Sequence, residues 1–133
     1  MKKYKTICII DDEPINQFIV RTIIKTISTE IKTLSYENGE EAILSLTQSL
    51  VSKDHLPDII LLDINMPVMG GWQFMDEFIK LQFDKKISIY ILTSSGAPED
   101  KKKAKTYKNI SGYLSRPLEL ITLKKIIEKD CNS

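Results

Sequence analysis

The chain has 133 residues, 42% of them apolar and 28% charged, with five glycines and five prolines. That length suits one domain over 1–133, and that composition excludes a largely disordered or fibrous chain. A formal net charge of +1 excludes a strongly basic nucleic-acid binder and an acidic solvating tail, yet it hides an asymmetry: residues 1–77 carry 7 Lys/Arg against 12 Asp/Glu, and residues 78–133 carry 12 against 6.

In chain order, Tyr4–Ile10 predicts the first strand, an apolar stretch too short for a signal-peptide core. Ile15, Phe18, Ile19, Ile23, Ile24 and Ile27 then recur at helical spacing after Pro14, a residue favoured at the first helical position, and are expected to face the core. Ile31–Tyr36 is the second strand, and its polar alternation marks it as an edge. Asn38 is a candidate cap for a second helix, with Glu40 and Glu41 in its first turn and Ala42, Ile43, Leu46 and Leu50 inward. Ile59–Leu62 is a third strand; Trp72, Phe74, Met75, Phe78, Ile79 and Leu81 mark a third helix, with Trp72 and the nearby methionines read as packing. Ile87–Leu92 is a fourth strand, and Pro98 opens a fourth helix that carries Lys101, Lys102, Lys103 and Lys105. Ser111–Ser115 and a helix over Leu118–Ile127 close the chain.

Five strand-then-helix repeats predict an α/β fold, a doubly wound five-stranded parallel sheet covered on both faces. No apolar run approaches the roughly 18 residues that span a bilayer, so the expected location is cytoplasmic, with no membrane partner. Cys8 and Cys131 show no metal or disulfide spacing and read as a core thiol and a tail thiol; His55 reads as a solvated loop residue with no partner for a zinc site. The lysine run reads as a solvated helix face, since no interleaved aromatics or recognition helix accompany it, and no direct DNA binding is expected.

In such sheets ligands bind beyond the carboxyl ends of the strands. Those ends carry Asp11-Asp12-Glu13, Asp63, Thr93-Ser94 and Arg116-Pro117. Taken singly, paired acids suit a helix start and a lone aspartate suits a turn. Converging in one crevice, the carboxylates would repel one another unless a cation neutralised them, and oxygen ligands suit Mg²⁺. Acids, a metal, a hydroxyl and a cation together suit a phosphoryl group, which a carboxylate can accept as an acyl phosphate.

These residues carry a resemblance. Ile9-Ile10-Asp11-Asp12-Glu13, Leu61-Leu62-Asp63-Ile64-Asn65-Met66-Pro67-Val68-Met69-Gly70-Gly71, Leu92-Thr93-Ser94 and Gly112-Tyr113-Leu114-Ser115-Arg116-Pro117 resemble, in order, the receiver domain of two-component response regulators of the stand-alone type. The resemblance implies a flavodoxin-like (βα)5 fold with strand order 2-1-3-4-5. It implies that Asp63 accepts a phosphoryl group from a histidine kinase or histidine phosphotransfer protein in a Mg²⁺-dependent step. Asp12 would ligate the metal directly and Asp11 through water, with Asp63 and the Asn65 carbonyl completing the protein's share. Thr93 and Tyr113 would be the switch pair, and Pro117 would follow a cis peptide bond. Such a domain is not an enzyme acting on a separate substrate, although it catalyses its own phosphorylation and dephosphorylation on Asp63. Its output would pass through a downstream protein partner or a homodimer formed by the fourth and fifth helices, whose lysines would meet an acidic surface.

Arg116 departs from the family's usual lysine. It keeps the charge, but a planar guanidinium is not interchangeable with an ammonium. Asn65 and Ser95 occupy the two positions that tune the phosphoryl lifetime in this family, and Ser94 replaces the commoner Ala or Gly. Three other readings stand beside the main one. The first is a degenerate receiver that binds partners without phosphorylation. The second is an aspartyl-phosphate hydrolase, against which the Ile64-Asn65 that follow Asp63 argue. The third is a flavin site, whose phosphate Asp11-Asp12-Glu13 would repel without a metal.

Overall fold

Successive side chains of a strand point to opposite faces of its sheet, so a strand covered on both faces must be apolar throughout. Here β1 (Thr6–Ile10), β3 (Ile59–Leu62) and β4 (Ser88–Thr93) are buried at every residue except Thr6. Their side chains divide between two layers. Ile7, Ile9, Ile59, Leu61, Tyr90 and Leu92 enter one core with Val20, Ile24, Leu123 and Ile127. Cys8, Ile10, Ile60, Leu62, Ile89 and Ile91 enter the other with Ala42, Leu46, Phe74, Met75 and Phe78. Each such aliphatic side chain, fully buried, contributes about 1.5–3 kcal/mol, which makes these two layers the main support of the fold.

The computed structural model describes residues 5–52, 56–66, 68–93 and 98–131. Tyr4, His55, Pro67, Ser94, Ser95 and the side chain of Cys131 lie outside the described residues. The remaining elements are α1 (Pro14–Ile27), β2 (Lys32–Tyr36), α2 (Gly39–Ser52), α3 (Gly71–Phe78), α4 (Pro98–Ala104), β5 (Ile110–Ser115) and α5 (Leu120–Cys131). All strand pairs are parallel and the order is β2-β1-β3-β4-β5. This is the flavodoxin-like (βα)5 arrangement expected. β2 lies at one edge as its alternation predicts; β5 is the other, and it too is only half buried. Asn38 caps α2, its Oδ1 accepting the Glu41 N–H at 2.9 Å. Among the described residues no helix is long and apolar enough to cross a membrane.

Four helices differ from the expectation: α3 ends at Phe78, before the exposed Ile79 and the half-buried Leu81, α4 ends at Ala104, before Lys105, and α1 and α5 bury other residues than expected. On α1 the buried residues are Gln17, Val20 and Ile24, whereas Ile15 (71% exposed), Phe18 (64%) and Ile19 (45%) face outward. The inward stripe runs at spacings of three and four through a polar residue, and Gln17 is tolerated there because its amide is hydrogen-bonded. On α5, Leu118 precedes the helix and is buried, while Leu120 and Ile121 are exposed. The helical ladder is under way at Leu123, whose N–H donates to the Glu119 carbonyl at 3.1 Å.

Candidate functional site

The parallel order brings the carboxyl ends of the strands to one side of the sheet. Asp11 follows β1 and Asp63 follows β3, and the Ile10↔Leu62 register sets them side by side. Backbone bonds carry the alignment past the strand ends: Asp63 N–H to the Ile10 carbonyl at 2.9 Å, and Asp11 N–H to the Tyr36 carbonyl at 3.1 Å. Both aspartates close their strands with the same local turn. Asp11 Oδ1 accepts the Glu13 N–H at 2.9 Å and Asp63 Oδ1 accepts the Asn65 N–H at 3.2 Å, each two residues on. Turn formation and site membership, which compete as readings of a lone sequence position, coexist here.

One carboxylate oxygen from each of Asp11, Asp12 and Asp63 lies within 4.8 Å of the others. Asp11 and Asp63 are buried and Asp12 is partly exposed. The Arg116 guanidinium, reaching back from the end of β5, pairs with Asp11 Oδ2. Three carboxylates against one guanidinium leave an excess of negative charge where water is scarce. Burial raises the Asp63 carboxyl to about 6 from its ordinary 3.8, opposed by the Asn65 N–H, reinforced by Asp11, opposed by Arg116 and reinforced by Asp12. This donor set is all oxygen and under-neutralised, and it fits a hard divalent cation such as Mg²⁺.

Thr93 ends β4 beside this cluster and is buried, and its carbonyl accepts the Arg116 N–H at 3.0 Å. Asn65 is exposed, with its N–H turned to Asp63. The Arg116–Pro117 peptide is cis. Tyr113 lies outside the acid cluster, midway along β5, where the Lys101 ammonium sits 5.8 Å from its ring centroid. Burial and the nearby Asp100 carboxylate raise its hydroxyl above the ordinary tyrosine range.

Three features escaped the sequence reading. Gln17 Nε2 donates to the carbonyls of Asp11 (2.7 Å) and Tyr36 (2.9 Å), tying the ends of β1 and β2 and holding the Asp11 backbone from behind. Its position three residues before Val20 and seven before Ile24 was the available signal. Trp72 on α3 stacks on Tyr107, centroids 5.8 Å apart and planes 10° apart, with the Lys103 ammonium 5.4 Å from the Trp72 ring centroid and Asp100 accepting from Nε1 at 3.4 Å. The Tyr107 hydroxyl donates to Asp76 Oδ1 at 2.7 Å, and burial with that carboxylate pushes it up to about 12. The lysines of α4 are exposed, as a solvated face requires, and two of them, Lys101 and Lys103, also lie near aromatic rings, as cation–π attraction favours. The third is the pairing of Arg116 with Asp11.

Comparison with known proteins agrees with this geometry. Residues 7–128 match the family described as response regulator receiver domain. Chemotaxis protein CheY of Halobacterium salinarum is 31% identical over 115 residues, which is 86% of this chain and 87% of that protein. Sensor histidine kinase CheAY of Helicobacter pylori is 28% identical over 120 residues; they make up 90% of this chain but only 14% of that larger protein. The crystal structure of a two-component response regulator from Cytophaga hutchinsonii superposes with a TM-score of 0.85 at 32% identity, covering 99% of this chain and 100% of that one.

Proposed function

The chain belongs to the response regulator receiver domain family, and we propose that it is the phosphoaccepting member of a two-component phosphorelay, with Asp63 the acceptor. The observation that carries this reading is the cluster of Asp11, Asp12 and Asp63 carboxylates at the strand ends, with Asp63 buried among them. A phosphohistidine on a kinase or phosphotransfer protein is the donor. An Asp63 carboxylate oxygen attacks phosphorus, the new O–P bond forms as the P–N bond breaks, and the imidazole leaves with the electron pair. Asp11, Asp12, Asp63 and the Asn65 carbonyl would hold Mg²⁺. When bound, the ion neutralises the carboxylates and the phosphoryl oxygens, which would otherwise repel each other.

The chain's own residues do the rest. The Asn65 N–H fixes the Asp63 carboxylate, Gln17 fixes the Asp11 backbone, and Arg116 supplies a guanidinium able to meet phosphoryl oxygens once released from Asp11. Thr93 offers a hydroxyl at the end of the neighbouring strand, and Tyr113 is its switch partner. The donor protein docks on the exposed apolar face of Ile15, Phe18, Ile19, Leu120 and Ile121. A hollow of about 240 Å³ beside Asn16, Ile19, Leu92, Arg116 and Pro117 continues that face toward the acids. Output passes through protein contacts on the lysines of α4 and α5, including a homodimer through those helices.

The Arg116–Asp11 pair is also the observation that favours the second reading, a receiver that binds partners without phosphorylation. Incubation with Mg²⁺ and acetyl phosphate, followed by intact-mass measurement, separates the two. The expected result is a phosphate-sized gain that requires both Mg²⁺ and Asp63 and is absent in Asp63→Asn. No gain in the native chain, with a gain restored in Arg116→Lys, would support the second reading.

A further inference from the structure

At the opposite end of the sheet from the acids, the α3–β4 turn and the entry to β5 enclose a hollow of about 370 Å³. Ile87 in its lining stands six steps along the chain before Thr93, or about 20 Å at ~3.3 Å per residue. Its volume lies within the range of small-molecule sites, about 300–1,000 Å³. Its apolar lining residues are Phe78, Ile79, Leu81, Phe83 and Ile87, and the Phe78 and Phe83 rings lie 5.3 Å apart. The rest of the lining is rich in hydrogen-bond donors.

Those donors are Lys85, Lys86, Lys108, Asn109 and Ser111, against a single acid, Asp84. Lys85 is held in place, its Nζ 2.7 Å from Asp58 Oδ1 and 3.1 Å from the Leu56 carbonyl, which leaves one N–H uncommitted among the described residues. Lys86 and Lys108 have no carboxylate partner among the described residues. The β4–β5 register shifts between Ile89 and Tyr90 at this same end, and the Asn109 carbonyl accepts the Ile89 N–H at 3.2 Å, so the Lys108–Asn109 segment is anchored to the strand beside the hollow.

We propose that this hollow is a binding site for a small organic phosphate whose apolar or aromatic body lies on the phenylalanine rings. The ammoniums of Lys86 and Lys108, without a carboxylate partner among the described residues, match the charge of a phosphoryl dianion, and lysine binds phosphate as a point charge. Asn109, Ser111 and the remaining N–H of Lys85 supply donors to its oxygens. A bare inorganic anion would leave the apolar lining unused, and a neutral nucleoside would leave the ammoniums unpaired.

The test is a titration of the full ¹⁵N-labelled chain with adenosine monophosphate, inorganic phosphate and adenosine, followed by amide shifts. Adenosine monophosphate should move the amides of 84–87 and 108–111 to saturation, and inorganic phosphate and adenosine should each bind at least about tenfold more weakly, as each makes only half of the contacts. Lys86→Gln with Lys108→Gln should weaken the nucleotide about tenfold or more while keeping a dispersed spectrum, and raised salt should do the same. Asp63→Asn should leave it unchanged, whatever becomes of phosphotransfer. Shifts centred on Asp11 and Asp63, equal affinity in the double variant, or the absence of saturable binding would each overturn the assignment.

Discussion

Asp58 and Asp63 flank the four residues of β3, one at its entry and one at its exit. Asp58 accepts the Thr6 N–H at 2.8 Å and pairs with Lys85 at 2.7 Å, so its charge is answered on both oxygens. Asp63 is 6% exposed, accepts one N–H at 3.2 Å and faces two further acids. One strand thus ends in a carboxylate satisfied for stability and another left short of partners. The comparison teaches that charge withheld from compensation at the exit is what makes that end reactive, and that the fold bears its cost there.

The largest expected effect is on the Asp63 side, in metal-free solution. The folded chain retains the Asp63 proton up to about pH 6, while the unfolded chain releases it near the ordinary 3.8. In that window the folded state holds more protons, so stability falls as pH rises through it, by about 2–3 kcal/mol. Urea unfolding in EDTA at a series of pH values should show this fall in the native chain, and Asp63→Asn should flatten it and be the more stable protein at neutral pH. Next comes the opposite end: Asp58→Ala should cost about 2 kcal/mol, because it strips the acceptor from the Thr6 N–H, while acetyl phosphate still modifies Asp63 in the mass assay. Smallest is Lys85→Met, which removes only a half-exposed partner and should cost less than about 1 kcal/mol by the same unfolding measurement. Equal pH profiles for native and Asp63→Asn chains would erase the contrast between the two ends.

Much of the site was legible in the sequence because strand ends are legible. Unbroken apolar runs mark central strands, parallel order gathers their exits, and the residues there are Asp11, Asp12, Asp63, Thr93 and Arg116. The cis bond before Pro117 and the strand order came from the family resemblance, not from the residues themselves. The orientation of α1 was not legible: six apolar residues outnumber the places the sheet can cover, and hydrophobicity does not reveal that Gln17 has two carbonyls waiting for it. The Trp72–Tyr107 stack joins residues 35 apart in the chain by setting α3 against the connection between α4 and β5, and periodicity carries no information about such pairs. Nor does it reveal that an exposed ammonium lies near a ring, as at Lys103.

That stack also gives the protein an optical gauge. The chain contains one tryptophan, and its indole touches Tyr107, Lys103 and Asp100, the last two on α4. Ammonium and carboxylate groups so near an indole tune its emission, so the intrinsic fluorescence of the unlabelled protein reads how α4 is seated against α3, and a stopped-flow trace at that single wavelength follows any reseating in real time.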